Sequence, residues 1–252
     1  MRIKEVEAKS ILNKSGITDY CINCYTGCSF GCSYCYAPLR VRRFMRMDEK
    51  WGSFVSAKMN APELLRKQLQ KAKPGSIMIS SVCDPYQYAE KKYELTRRCL
   101  AEILDCKKKF GISILTKSSL VIRDIDLFRQ FDDIEVGLTV TTDNDKMRKT
   151  FEPNAPSIGE RLQALRQLKE SGIRTYAFIG PILKMDATLL AEKIAKYVSY
   201  VFIDRLNYAA RINSILKENN MEFIADVKYT SEKVNELIKE LKERGIKSKT
   251  LF

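Results

Sequence analysis

The chain has 252 residues, 45% hydrophobic and 30% charged, with 11 Gly, 7 Pro and no His. This composition excludes collagen-like and disordered chains and suits one large domain with a sizeable core, and the lack of any run of 18 apolar residues excludes a transmembrane helix. Forty-four Lys and Arg against 31 Asp and Glu leave a formal charge of +13, which suits a polyanionic partner, nucleic acid above all, or simply a solvated basic surface.

In chain order, the opening MRIKEVEAKSILNKSG is charged throughout and lacks the apolar centre of a secretory signal, so a cytoplasmic location with no membrane association is expected. In that reducing compartment the eight cysteines serve metal or catalysis better than disulfides. A β-rich run at 20–25 leads into the string CINCYTGCSFGCSYCYAPLRVRR, residues 21–43. The helical APELLRKQLQKA carries Pro62 in its first turn, and a second β-rich run follows at 77–83. ELTRRCLAEILDC sets Leu95, Cys99, Ile103 and Cys106 on one helical stripe. Further β-rich runs lie at 112–116 and 134–141, before a helix that starts on a Ser157 cap and stops at Gly172. Runs at 175–180 and 200–204 flank a helix near 187–197; helices near 211–219 and 231–244 enclose a seventh strand candidate at 222–225.

Strand and helix alternating in this way predict parallel pairing through helical crossovers. The expected fold is α/β, a partial parallel (β/α)6-type TIM-like barrel. It would form one domain over 1–252, with a core at 17–207 and a C-terminal helical extension at 208–252. Function in such barrels sits at the C-terminal ends of the strands, where the cysteine loop lies.

Cys28, Cys32 and Cys35 form C-x3-C-x2-C. Three thiolates can hold a cubane and leave its fourth iron without a protein ligand, whereas a four-cysteine ferredoxin set saturates it. An open metal position takes an exogenous ligand, as catalytic zinc takes water. Sulfur donors without His or clustered carboxylates suit iron–sulfur or zinc, not magnesium or calcium. Zinc would need Cys21, Cys24, Cys32 and Cys35, two pairs only seven residues apart, with Cys21 and Cys24 on opposite faces of a strand. The cluster is therefore the expectation, and Cys99 and Cys106 are read as packing residues. Lys117 ends a strand on the face of Ser113 and Leu115, where an inward ammonium needs an anion. Glu135, Gly137, Thr139 and Thr141 form one small, polar face. Cys83 shares a face with Ser81.

With these motifs the chain resembles the radical S-adenosylmethionine (radical SAM) superfamily. More narrowly it is similar to the spore photoproduct lyase-like family, also called DNA repair photolyase-like proteins. The resemblance runs from about Ile11 to Asn207 and is carried by NCYTGCSFGCSYCYAP, CDPYQYAEKKYELTR, ILTKSSLVIRDIDL, GLTVTT, FEPNAPSIGERLQAL and FIGPI. It implies a [4Fe–4S] cluster on Cys28, Cys32 and Cys35, with SAM chelating the open iron through its amino and carboxylate groups. An electron donor such as flavodoxin or ferredoxin would drive cleavage of SAM to a 5′-deoxyadenosyl radical that abstracts substrate hydrogen. Tyr34 would pack beside adenine, Lys117 meet a carboxylate or ribose hydroxyl, and Ser81, Thr139 and Thr141 contact SAM, while Gly180 lets backbone approach the adenine.

In that family a cysteine near the end of the second strand returns hydrogen to the product radical, and tyrosines flanking the last cluster cysteine relay it. Cys83, Tyr34 and Tyr36 are the corresponding catalytic candidates, although the alignment around Asp84 is out of register. The lyase's extra DNA-engaging C-terminal element has no counterpart past Asn207, which puts repair of thymine dimers in doubt. A nucleic-acid substrate is expected through Arg40, Arg42, Arg43 and Arg46, interleaved with Phe44 and near Trp51. There cations would meet phosphates while aromatics stack on extruded bases. The same stretch also suits a basic flap over the barrel mouth that binds an acidic partner protein. Two other readings stay open: a radical SAM enzyme acting on a peptide or small metabolite, and a non-catalytic iron–sulfur or zinc nucleic-acid-binding module.

Overall fold

The computed structural model describes residues 1–45 and 49–252, with the side chains of 42–48 outside the description. Among the described residues the elements are β1 (Arg2–Val6), β2 (Leu12–Lys14), β3 (Tyr20–Ile22), β4 (Tyr25–Thr26), α1 (Ala37–Met45), β5 (Phe54–Lys58), α2 (Ala61–Lys71), β6 (Gly75–Ile79), α3 (Tyr88–Tyr93), α4 (Leu95–Leu104), β7 (Phe110–Thr116), α5 (Ile125–Phe128), β8 (Ile134–Thr139), α6 (Asp145–Phe151), α7 (Ile158–Glu170), β9 (Arg174–Ile179), α8 (Ala187–Ala195), β10 (Tyr200–Ile203), α9 (Asn213–Glu218), α10 (Val227–Glu243) and β11 (Lys247–Thr250). No helix among them is long and apolar enough to cross a membrane.

Alternation along the strands sets the architecture. In β7, Ile112, Ile114 and Thr116 are buried while Ser113 and Leu115 between them are half-buried, a period of two that gives the sheet two different faces. On one face Ile77, Ile79, Ile112, Ile114, Val136, Leu138, Ala177 and Ile179 pack in one core with Leu65, Leu69, Leu95, Leu165, Leu168, Leu190 and Leu237 of the helices. Each such side chain contributes about 1.5–3 kcal/mol when fully buried. A one-residue slip of any strand would turn its isoleucines away from the helices, so this layer also fixes the register.

β3, β6, β7, β8, β9 and β10 lie side by side in parallel, as the alternation predicts, with antiparallel β2 on one edge and parallel β11 on the other. β2 and β11 do not pair with each other, so the barrel is open and partial. A second, small sheet orders β1, β5 and β4, and β4 feeds directly into the cysteine loop. The start of α7 is fixed by a reciprocal capping box between Ser157 and Glu160, and Gly172 follows its end at a φ of +82°.

Three expectations about strands change. The stretch 222–225 is a turn of 3₁₀ helix, and the seventh parallel strand is β11, KSKT, whose exposed lysines suit a solvent-facing edge. The first run divides at Asn23, whose side-chain oxygen accepts the N–H groups of Ser81 (3.0 Å) and Val82 (3.1 Å), so that the chain passes from one sheet to the other. The second run ends at Ile79 because Ser80 takes a φ of +66°, which breaks the alternation.

Candidate active site

The cysteine loop leaves β4 through Gly27, whose φ is +84° and where a Cβ would lie 2.5 Å from the Phe54 carbonyl oxygen. One side of the loop is held by Gln87, which accepts the Ser29 N–H (2.8 Å) and donates to the Gly27 carbonyl (3.1 Å). Behind it, buried Glu90 accepts from the Tyr25 hydroxyl, the backbone N–H groups of Thr96 (2.9 Å) and Arg97 (3.1 Å), and Arg123 (2.9 Å). Asp124 accepts from Tyr86 (3.0 Å) and Arg97 (2.8 Å). The strings DPYQYAEKKYELTR and RDIDL thus fold into one buried polar support beneath the loop, each charge matched by donors.

Cys28, Cys32 and Cys35 are free thiols packed with Phe30, Tyr34, Phe151, Leu183, Ile212 and Leu216. Burial pushes Cys28 well above the ordinary thiol value, Cys32 to about 12, and Cys35 upward; Lys117 opposes the rise at the last two. Among the described residues no three His, Cys, Asp or Glu side chains close round a single-ion position. A cubane spreads its sulfur ligands more widely than one ion does. An all-thiol trio in an apolar pocket, with the cations Lys117 and Arg211 near enough to favour thiolates, fits a [4Fe–4S] group. The four-thiol zinc set does not assemble. Cys21 Sγ lies 3.2 Å from Ser81 Oγ, while Cys24 Sγ sits 3.5 Å from Cys99 Sγ in the helix-side core.

Several of the expected SAM-side residues converge. The Tyr34 hydroxyl donates to Glu152 Oε1, which also accepts from Thr141 (2.9 Å), and Arg161 donates to Glu152 Oε2 and to the Thr139 carbonyl (3.0 Å). The Lys117 ammonium lies 5.8 Å from the Tyr34 ring centroid, and its backbone N–H donates to Asp84 (2.8 Å). Burial pulls the Lys117 ammonium down, but Cys32 and Glu152 more than offset it and the net direction is up. Tyr36 stands apart, with its hydroxyl donating to the Ser81 carbonyl.

Other expectations meet different surroundings. A Cβ at Gly180 would lie 2.3 Å from the Phe178 ring, and one at Gly137 would lie 2.3 Å from Tyr176, so neighbouring aromatics fill the space that both glycines leave. Cys83 does not share a face with Ser81. After the left-handed Ser80, Ser81 turns to Cys21, whereas the Cys83 Sγ donates to the Tyr25 carbonyl (3.4 Å) and lies 3.5 Å from Ser80 Oγ. Arg40 is exposed on α1; Arg46 and the side chains of Arg42 and Arg43 lie outside the described residues. The C-terminal extension brings Ile212 and Leu216 into one apolar cluster with Cys28, Phe30, Cys32 and Tyr34 of the cysteine loop.

Sequence reasoning missed Glu152, Arg161, Asp84 and Gln87. A signal for Arg161 was present: it shares the buried face of α7 with Ile158, Leu165 and Leu168, and a charge on an apolar stripe announces a buried partner.

Comparisons with known proteins agree with this geometry. Residues 22–186 match the family described as the Radical SAM superfamily. An uncharacterized protein of Methanocaldococcus jannaschii is 36% identical over 255 residues, covering 98% of this chain and 95% of that protein. A radical SAM Nalpha-GlyT isomerase of Pseudomonas phage M6 is 23% identical over 157 residues, 62% of this chain and 31% of the relative. In fold, the chain is similar to spore photoproduct lyase complexed with dinucleoside spore photoproduct, with a TM-score of 0.72 at 12% identity, covering 98% of this chain and 82% of that one. Radical SAM enzymes use a [4Fe–4S] cluster and SAM, the two groups that the thiol trio and its polar surroundings suit. The chain belongs to the Radical SAM superfamily.

Proposed function

We propose that this radical SAM enzyme acts on nucleic acid at the open end of the barrel, in a lyase or modification reaction. The observation that carries this reading is the rim. Exposed Tyr36 and Tyr208 stand with exposed Arg40, Arg205 and Arg211 on segments that follow the cysteine loop and β10, in a chain of net charge +13. Cations there would take phosphates while the tyrosines stack on bases. The lyase of similar fold, which holds a dinucleoside, supports the same substrate class.

Cys28, Cys32 and Cys35 would hold the cluster, reduced by a carrier such as flavodoxin or ferredoxin. With SAM bound, the reduced cluster would supply the electron that splits SAM into methionine and a hydrogen-abstracting 5′-deoxyadenosyl radical. The chain's own residues bind and orient. Lys117 would offer an ammonium to a carboxylate, Thr139, Thr141 and Ser81 would offer polar contacts, and the Tyr34 ring would pack beside the adenine. The Gly180 backbone, whose side-chain space the Phe178 ring occupies, would border it only from its other side. The whole chain, 1–252, works as one domain in this reading, because its C-terminal segment packs on the cysteine loop.

For the return of hydrogen, Cys83 is the residue suggested by resemblance. Cys83 packs against the cluster that contains Cys28, Cys32 and Tyr34. Cys21 is a second candidate, since its Sγ lies beside Ser81, whose carbonyl receives Tyr36.

The test is 5′-deoxyadenosine formation after anaerobic reconstitution and reduction, with and without DNA or RNA, alongside binding at rising salt. Nucleic acid should stimulate turnover, and its affinity should fall steeply with salt. Turnover that responds to peptides or small metabolites but not to DNA or RNA overturns the substrate class. In the same assay Cys83→Ala should divert the product while SAM cleavage persists; diversion by Cys21→Ala instead would transfer the role to Cys21.

A further inference from the structure

The string FEPN belongs to the family resemblance, yet nothing above gives it a task. In the structure residues 151–154 run along the cysteine loop as its second wall. The Phe151 carbonyl accepts the Ser33 N–H (2.9 Å) and hydroxyl (3.2 Å). Asn154 donates from its side chain to the Ser29 carbonyl (3.1 Å) and from its backbone to that of Phe30 (3.4 Å). Glu152 accepts the Tyr34 hydroxyl. The wall is itself pinned: Arg148 donates to the carbonyls of Glu152 (3.2 Å) and Ala155 (2.9 Å), and Arg161 to that of Pro156 (3.0 Å).

Glu152 and Arg161 are both fully buried. A buried carboxylate persists only when it is paired and hydrogen-bonded, and Arg161 alone would answer the charge. Glu152 nevertheless collects two more donors, Tyr34 and Thr141, which come from the cysteine loop and from the end of β8. Lys117 is close enough to help Arg161 hold Glu152 below the ordinary carboxylate value, against its burial. One carboxylate therefore ties together the aromatic between two cluster thiols and a hydroxyl at the strand end, and the lysine facing that aromatic adds its charge nearby.

We propose that Glu152 is a positioning residue for SAM: it fixes the Tyr34 ring between Cys32 and Cys35 and holds Thr141 on the same side of the site. This rests on the reading that SAM lies against Tyr34 and Lys117. The reconstituted full chain is compared with Glu152→Gln, Tyr34→Phe, the double variant and Lys117→Met. The readouts are iron and sulfide content, the SAM dissociation constant, and the change SAM induces in the electron paramagnetic resonance spectrum of the reduced cluster.

Glu152→Gln and Tyr34→Phe should load cluster as the wild type does, bind SAM about 10-fold more weakly, the scale of one hydrogen bond to a charged group, and alter the SAM-induced spectral change. Glu152→Gln keeps an oxygen for Tyr34 but removes the charge and one of the two acceptors shared with Arg161, whereas Tyr34→Phe removes the donor. Because both act through one linked group, the double variant should lose less than the sum of the two single losses. Unchanged SAM affinity and spectrum in folded Glu152→Gln, with SAM binding lost in Lys117→Met, overturns the role of Glu152 and leaves the SAM placement standing. No change in any variant, Lys117→Met included, overturns the placement as well. If Glu152→Gln does not fold, Tyr34→Phe decides: loss of one hydroxyl with SAM binding intact overturns the proposal.

Discussion

Tyr176 and Tyr200 stack at 5.2 Å on the inner face of the barrel, with Phe202 edge-on to both, and Glu135 accepts from Tyr200 (2.7 Å) and Ser113 (3.3 Å). Toward the C-terminal ends of the same strands, Lys117, Thr139 and Thr141 are instead gathered around Glu152 and the cysteine loop. The floor satisfies itself with aromatic packing and one carboxylate; the mouth is tied to a loop that carries thiols. Ser113, Glu135, Tyr200 and Phe202 are half-buried whereas Thr139, Thr141 and Glu152 are buried, and the polar groups of the two halves lead to different places. Floor residues should govern stability and mouth residues the cofactors.

Substitutions can break or sharpen that division. Cys32→Ala should abolish 5′-deoxyadenosine formation while leaving the melting temperature of the cluster-free protein close to that of the wild type. A variant that still loaded cluster and cleaved SAM would break the assignment of the mouth. Gly137→Ala puts a Cβ 2.3 Å from the Tyr176 ring and should lower unfolding stability by about 1–3 kcal/mol, the usual cost of overpacking. Turnover per folded molecule should survive, and its collapse would mean that floor and mouth are coupled. Tyr200→Phe removes the donor to Glu135 and should cost about 1 kcal/mol in denaturant titration, with SAM affinity unchanged.

The smallest effect is expected outside both halves, at Asp126. The hydrogen bond from Arg97 pulls its carboxyl down from the ordinary value of 3.8 to about 2. A depressed carboxyl adds stability above its unfolded value and loses that stability as the pH falls through its folded one. Asp126→Asn should therefore flatten the stability profile between about pH 4 and pH 2, and only slightly, because the Asp126 side chain is 58% exposed and screened.

The parallel strands were legible because isoleucines and valines alternate on the face the helices cover, and the helices because their stripes and caps are local. β11 was not: KSKT carries no apolar period, and only pairing with β10 makes it a strand. At 222–225 the apolar Phe223 and Ile224 suggested a strand, but they belong to a 3₁₀ turn that sets Ile224 among the residues around the cysteine loop. The thiol trio could be read from spacing alone. Glu152 could not, since its partners Tyr34, Thr141 and Arg161 come from three separate stretches of chain. The face that Cys83 was expected to share with Ser81 failed for a local reason, a single left-handed serine that period-two counting does not foresee.

Ile212 and Leu216 roof the pocket in which Cys28, Cys32 and Cys35 are packed. On the ribosome the thiols emerge long before that roof is translated, and until it arrives they stand open to water and oxidants. A chain cut short before Ile212 would lack two of the apolar side chains that share a cluster with Cys28 and Cys32, and its thiols would be less shielded from water and oxidants.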